Sequence, residues 1–406
     1  MTFLLLLFAI ILVPFAHVKV TLFGLPLYLP EIAVALAAIF AWCFHSEGKK
    51  RLPDPFIVSG ALIFVTGALL SAFANPLSLT SLGMLKSWFV VPVVMSYLFW
   101  CETRGQWQRQ TVIHVWLAVL VFVAIRSLML YFAGEKTYDG RLAGDYASPN
   151  FLALLLAPGI LFSFSFFLDA YEDKKRQAML FFVITAGVLS LALFLTRSYG
   201  AWVGTAGAIL VLLGGRAFIN RSWKQATGAI MLSLFLLVLA FFLDHGSEKW
   251  QSLLSHDPRS SLSSRLMIWQ AAGKIITDHP ILGIGVGRFQ EEYLDYQRYF
   301  LPYLEWAVPE PHNLFLAVFL STGLVGTLGF LLLVSRSVFR QFCSILRFAE
   351  QPDWARFSVL LLSVWALFFL YGLTDTPLFK NDLSILFFLT IALSALSPLK
   401  KKSPLV

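Results

Sequence analysis

The chain has 406 residues, of which 58% are hydrophobic and only 13% charged, with a net charge of +8, and its mean hydropathy is +0.76. This balance excludes an ordinary soluble domain. The basic excess is spread over turns between apolar runs, with no basic, aromatic-interleaved domain, so nucleic acid is excluded as a partner.

In chain order, apolar runs of membrane-spanning length recur from end to end, about twelve in all. They cover residues 2–18, 28–45, 55–75, 84–100, 110–132, 150–168, 177–196, 199–215, 226–244, 312–335, 357–373 and 382–398. The first has no basic n-region and no clear small-residue cleavage site, so it is expected to remain as a helix. None alternates with a period of two, which argues against a β-barrel. The expected fold is therefore an all-α integral membrane protein with one large loop on the outer side. Residues 1–244 would hold about nine transmembrane helices, 245–311 the loop, and 312–406 about three further transmembrane helices.

Basic residues give an orientation. With the N-terminus inside, the inner turns carry Lys49-Lys50-Arg51, Arg104, Arg109, Lys174-Lys175-Arg176, Arg216, Arg221, Lys224, Arg336, Arg340, Arg347, Arg356 and Lys400-Lys401-Lys402. The short outer loops carry far fewer, and a long outer loop translocates largely regardless of its charge. The three cysteines, Cys43, Cys101 and Cys343, fall on the inner side, where thiols stay reduced. No C-x-x-C pair is present, so no thiolate metal site is expected.

The 245–311 loop is rich in aromatic and aliphatic residues and is expected to be ordered. Its pattern predicts short amphipathic helices near 262–277 and 288–300, separated by His279-Pro280 and the turn Gly283-Ile284-Gly285-Val286-Gly287. Arg265 is expected in the first turn of the earlier helix, after Ser263 and Ser264 as caps. Free backbone N–H groups beside a guanidinium suit a phosphate, though a surface arginine on an interfacial helix has the same pattern. Arg197 lies in a very short turn between two apolar runs, at the outer boundary, as a phosphate ligand or a snorkelling anchor. Arg141 precedes Ser148-Pro149-Asn150 and also reads as a solvated loop charge. His312, between Pro311 and Asn313 at the start of a helix, has the chemistry of a base near neutral pH or of a helix-start hydrogen-bonding residue. Lys86 and Arg126 lie in or near apolar runs, where charges are costly and are either functional or paired with loop carboxylates. No P-loop, H-E-x-x-H or D-x-D carboxylate pair occurs, so no metal or cofactor is expected.

The ordered set RxxGDYASPN (141–150), LTRSYGAW (195–202), SRLMIWQAAGKIITDHPILGIGVGRF (264–289) and PHNLFLAVFLSTGLVG (311–326) resembles the O-antigen ligase and O-antigen polymerase superfamily. The likeness covers roughly residues 141–330. It implies a type C glycosyltransferase-like fold in the bacterial inner membrane, with the active site facing the periplasm. The implied donor is an undecaprenyl-diphosphate-linked glycan. The acceptor would be lipid A-core for a ligase, or another lipid-linked repeat unit for a polymerase. By motif, the resemblance places the catalytic roles on Arg197, Arg265 and His312. Arg141, Asn150, Arg288 and Asn313 are the expected substrate-binding residues. The sequence departs from the pattern at Tyr199, where many members carry a second arginine. A lipid or polysaccharide transporter is the more distant alternative, since a many-helix membrane bundle also suits one.

Overall fold

The computed structural model describes residues 1–22, 24–44, 53–103, 105–247, 249–251, 260–300, 308–347 and 351–396. The basic clusters 49–51 and 400–402, together with Arg104, lie outside the described residues.

Among the described residues, nine helices are long and apolar enough to cross a membrane. They are α3 (Pro55–Ala74), the continuous pair α4 (Leu79–Leu85) and α5 (Val91–Glu102), α6 (Gln106–Phe132), α7 (Pro149–Glu172), α8 (Arg176–Leu195), α9 (Tyr199–Asn220), α10 (Trp223–Asp244), α13 (Leu314–Arg347) and α14 (Pro352–Gly372). Three shorter apolar helices, α1 (Thr2–Ile11), α2 (Leu29–Phe44) and α15 (Asn381–Ser394), fall on the remaining expected runs. The loop region holds α11 (Ser261–Asp278) and α12 (Phe289–Tyr296), close to the positions that the sequence pattern predicts.

The first run departs from expectation. Its α-helix stops at Ile11, and a short 3-10 turn around Pro14 leads into an antiparallel hairpin, β1 (Lys19–Leu22) with β2 (Leu25–Tyr28). Ten helical residues extend about 15 Å, half of a hydrocarbon core about 30 Å thick. Proline cannot continue the helix, the β-branched Val18, Val20 and Thr21 favour extended backbone, and Gly24 supplies the turn with φ +80°. The chain is thus helical apart from this one hairpin, among the described residues.

Helix direction defines two ends. Asp54 caps the start of α3 and receives Arg336 at 2.8 Å and Arg340 at 2.9 Å. Asn75, just past the other end of α3, donates through its side chain to the carbonyl of Gly283 in the loop region at 3.4 Å. The Asp54 end also holds Arg216 on Asp169 at 2.7 Å, Arg356 on Glu172, and Arg109 stacked 4.4 Å from the rings of Trp354 and Phe357. Most of the described inner-turn arginines therefore collect at this end. Lys86 pairs with the buried Glu31, and Arg126 contacts Asp145 at 3.0 Å, so both charges near apolar runs are paired.

Two devices fix the loop region onto the bundle. Helix α3 packs against α13 with almost no side chain between them: a Cβ on Gly67 would lie 2.2 Å from the Gly326 nitrogen. Small residues permit such close approach between membrane helices. At Gly323, with φ +64°, α13 kinks. Leu324 N there donates to Ile281 O at 2.9 Å, and Ile284 N to Leu320 O at 2.8 Å. The His279–Gly287 turn is thereby stitched onto the kink. Gly283, Gly285 and Gly287 all have positive φ, which fits their reading as a tight turn.

Candidate active site

Two of the expected residues, Arg265 and His312, converge on one that carries no motif. Asp375 lies in the turn Leu373–Lys380 between α14 and α15 and is fully buried. One carboxylate oxygen, Oδ1, stands 3.4 Å from Nδ1 of His312, and the other, Oδ2, stands 3.8 Å from the Arg265 guanidinium. Oδ1 also accepts from the Thr376 backbone at 2.9 Å. Oδ2 of Asp375 and Nε of Arg265 are buried and have no hydrogen-bond partner among the described residues.

Each group is held by its own element. Ser260, not Ser263 or Ser264, caps α11, its side chain accepting from Ser263 N at 3.3 Å. Arg265 consequently lies one turn into the helix, where Nη1 donates to Ser261 Oγ at 2.7 Å. One turn further on, Trp269 Nε1 donates to the Pro311 carbonyl at 3.0 Å and ties α11 to the His312 segment. Asn313 is the side-chain cap of α13, accepting from Phe315 N at 3.0 Å and Leu316 N at 3.2 Å. Its Nδ2 donates to the Leu373 carbonyl at 3.1 Å, which binds the Asp375 turn to the start of α13. Asn313 is thus engaged in positioning its neighbours. His312 is forced into φ +48°, an uncommon conformation for a non-glycine residue.

The electrostatics follow from burial and pairing. Burial pushes the Asp375 carboxyl up, but the hydrogen bond and charge of His312, then the charge of Arg265, outweigh it and hold the group below its ordinary value. Burial likewise disfavours a charged His312, but the bond and charge of Asp375 prevail and raise the imidazole above its ordinary value. Glu310, fully buried two residues earlier, is raised by burial against the opposing charge of Lys380, which contacts it at 2.8 Å.

Beside this cluster is a cavity of about 190 Å³ bounded by Asn150, Ser198, Lys249, Ser261, Arg265 and Tyr371, among others. Lys249 donates to the Arg197 carbonyl and lies 4.5 Å from the centre of the Tyr199 ring. Its burial, followed by the charges of Arg141 and Arg265, lowers its ammonium group to about 7. Arg141 borders the region through Asn150, donating to Asn150 Oδ1 at 3.0 Å and to the Thr196 carbonyl at 2.7 Å. Tyr371 Oη completes the wall, bonded to Ser198 Oγ at 2.7 Å and donating to the Asn150 carbonyl at 3.0 Å.

Two expected ligands are placed differently. Arg197, at φ +47° in the α8–α9 turn, pairs with the buried Asp244 at 3.0 Å and is not part of the cavity lining. Tyr199 donates to the same carboxylate at 2.5 Å. Arg288 is held by Glu291 and Glu292, each at 3.2 Å, and is likewise outside that lining. Asp375, Lys249 and Tyr371 carry no motif. The available signal for Asp375 was an acid in a short turn, LTDTPLFK, on the same side as His312. Among the described residues, no group of His, Cys, Asp and Glu side chains is arranged to hold a metal ion.

No curated protein matches the chain in sequence. Residues 180–331 match the family described as "O-Antigen ligase", a span that contains Arg197, Lys249, Arg265, Arg288 and His312 and ends within α13. With a helical membrane bundle and an arginine–histidine cluster at one end of it, this match over residues 180–331 supports a likeness to the O-antigen ligase and polymerase superfamily.

Proposed function

We propose that this protein is a glycosyltransferase of the bacterial inner membrane that takes a glycan from undecaprenyl diphosphate and attaches it to lipid A-core, on the periplasmic face. The observation that carries the reading is the convergence of Arg265 and His312 on the buried Asp375, beside a cavity that also holds Lys249.

The chemistry follows from that geometry. The acceptor oxygen bonds to the anomeric carbon as the bond from that carbon to the diphosphate oxygen breaks. Arg265 and Lys249, both lining the cavity, offer two cations to the charge that develops on the departing diphosphate. His312 takes the acceptor hydroxyl proton. Asp375 holds the imidazole through Nδ1 and stabilises the imidazolium that forms, as carboxylates do in other base–orienter pairs. Protein cations supply the countercharge that a metal would otherwise provide. Polymerisation uses the same chemistry with a lipid-linked repeat unit as acceptor.

The test is transfer by the purified protein in detergent, with EDTA present, from an undecaprenyl-diphosphate glycan to lipid A-core. Arg265→Ala and His312→Ala are each expected to lower turnover by about 10²–10³ at matched folding. Transfer only to a second lipid-linked glycan would replace ligation by polymerisation. Undiminished turnover in both variants would remove the site.

A further inference from the structure

A larger cavity, about 640 Å³, opens at the same end of the bundle between the β1–β2 hairpin, the start of α4, the 145–151 segment and the start of α15. Small-molecule sites typically span about 300–1,000 Å³. We propose that this cavity binds the glycan part of the acceptor, and that the β1–β2 hairpin forms one wall of that subsite. This rests on the transferase reading above.

The first observation is chemical. Tyr28, Trp88, Tyr146 and Phe151 line the cavity, offering flat apolar faces that suit the C–H faces of sugar rings. Thr80, Asn381 and Asp382 line it too, with hydroxyl, amide and carboxylate groups that suit sugar hydroxyls. Trp88 is fixed by its Nε1 bond to Asn381 Oδ1 at 3.0 Å and by stacking on Phe379 with ring centroids 5.6 Å apart.

The second observation is electrostatic. Two of the charged lining groups are already paired: Asp145 by Arg126 at 3.0 Å and Lys380 by Glu310 at 2.8 Å. Lys19 and Asp382 line it as well, so its charged groups are of both signs, whereas the described lining of the smaller cavity includes Arg265 and Lys249 and no carboxylate. A diphosphate is favoured in the smaller cavity, and an uncharged, hydroxyl-rich chain in the larger one.

The third observation is connectivity. Asn150 lines the smaller cavity and its neighbour Phe151 the larger. Thr374 lines the smaller, and Lys380 at the far end of the same turn lines the larger, with Asp375 between them. Lys380 grips Glu310, two residues before His312, and lies 4.4 Å over the Phe151 ring. The turn that carries Asp375, the partner of His312, thus runs from the wall of one cavity to the wall of the other, as a site joining acceptor to donor requires.

Filling variants test this by occupying the space, and Ala147→Trp does so without deleting any polar group of the lining. Thr80 and Ala147 are both exposed residues of the cavity wall. Thr80→Trp and Ala147→Trp would occupy the space while leaving the Arg265 cavity untouched. Two lipid-free probes are used on the full-length protein in detergent: core oligosaccharide released from lipid A, and the free repeat-unit oligosaccharide. Wild type is expected to bind one of them in equilibrium titration, and both filled variants to bind it about tenfold more weakly. In transfer assays the acceptor KM should rise by a similar factor with the donor KM unchanged, the pattern of lost uniform binding. Equal oligosaccharide affinity in wild type and both filled variants, or a rise in donor KM instead, would overturn the proposal. So would binding of neither probe by wild type. Failure of the transferase reading would look different: wild type would bind an oligosaccharide, weakened by filling, yet transfer nothing to its lipid-linked form.

Discussion

At the scale of single residues, His312 and Arg265 share one carboxylate, and that sharing determines the protonation of the site. Asp375 raises the His312 imidazole above its ordinary value of about 6.5, so the neutral form needed to accept a proton is populated only above that higher value. The expected kcat/KM therefore climbs with pH through a midpoint above about 6.5. On the other side, Lys249 loses its charge as pH rises through about 7. If that charge serves the diphosphate, kcat/KM falls again at higher pH, giving a narrow bell. Asp375→Asn should lower kcat/KM by about 10²–10⁴ and move the acid limb downward. Lys249→Arg should flatten the alkaline limb, because a guanidinium stays charged there. The check is a pH–rate profile for wild type and these two variants. An unmoved acid limb in Asp375→Asn would detach the carboxylate from His312.

At the scale of elements, the turn between α8 and α9 gives Arg197 a different partner from the one its motif implies. Its guanidinium pairs with Asp244 at the end of α10, and that carboxylate is only 2% exposed. Removing the arginine leaves a buried charge without its countercharge, a loss discounted here to about 1–3 kcal/mol because the arginine side is partly exposed to water. Arg197→Gln is expected to lower the thermal midpoint, and Arg197→Gln with Asp244→Asn to restore most of it. Activity recovered together with stability would assign Arg197 to structure; stability recovered alone would return it to the active site. The α3–α13 contact makes a second prediction. Gly67→Ala would drive a Cβ onto the Gly326 backbone at 2.2 Å, and overpacking of this kind costs about 1–3 kcal/mol. Gly187→Ala, where nothing lies within 4 Å, should leave the midpoint unchanged or slightly raised. Equal behaviour of the two variants in thermal unfolding would deny the close contact.

At the scale of the whole molecule, the two ends of the bundle differ in what they hold. One end collects arginines paired with acids in short turns; the other holds the loop helices, both cavities and the Asp375 turn. The proposed orientation puts the first end in the cytoplasm, as basic short turns favour. In a background lacking Cys43, Cys101 and Cys343, Ser261→Cys should react with a membrane-impermeant thiol reagent in intact spheroplasts. Ser222→Cys, at the opposite end between α9 and α10, should react only after permeabilisation. The reverse pattern would place the site on the cytoplasmic face and end the periplasmic proposal.

The sequence alone determined the membrane class, the approximate positions of the nine long helices among the described residues, the loop helices and the likeness to the O-antigen ligase family, because apolar run length and local motifs are short-range signals. It also marked Arg265 and His312, which stand in distinctive local patterns. The early end of the first helix was missed because hydrophobicity carries residues 2–18 as one run while Pro14 decides the backbone there, and the hairpin falls in the interval between the first two runs. Tertiary structure alone decided the partners. Asp375 is 63 residues from His312 in sequence and meets it only because Asn313 ties the start of α13 to the end of α14. Arg197, Arg288 and Arg265 all pair with carboxylates, but of the three only Arg265 also lines the smaller cavity. A motif shows which side chains are present; whether a buried charge faces a carboxylate or an open cavity depends on helices packed from distant parts of the chain.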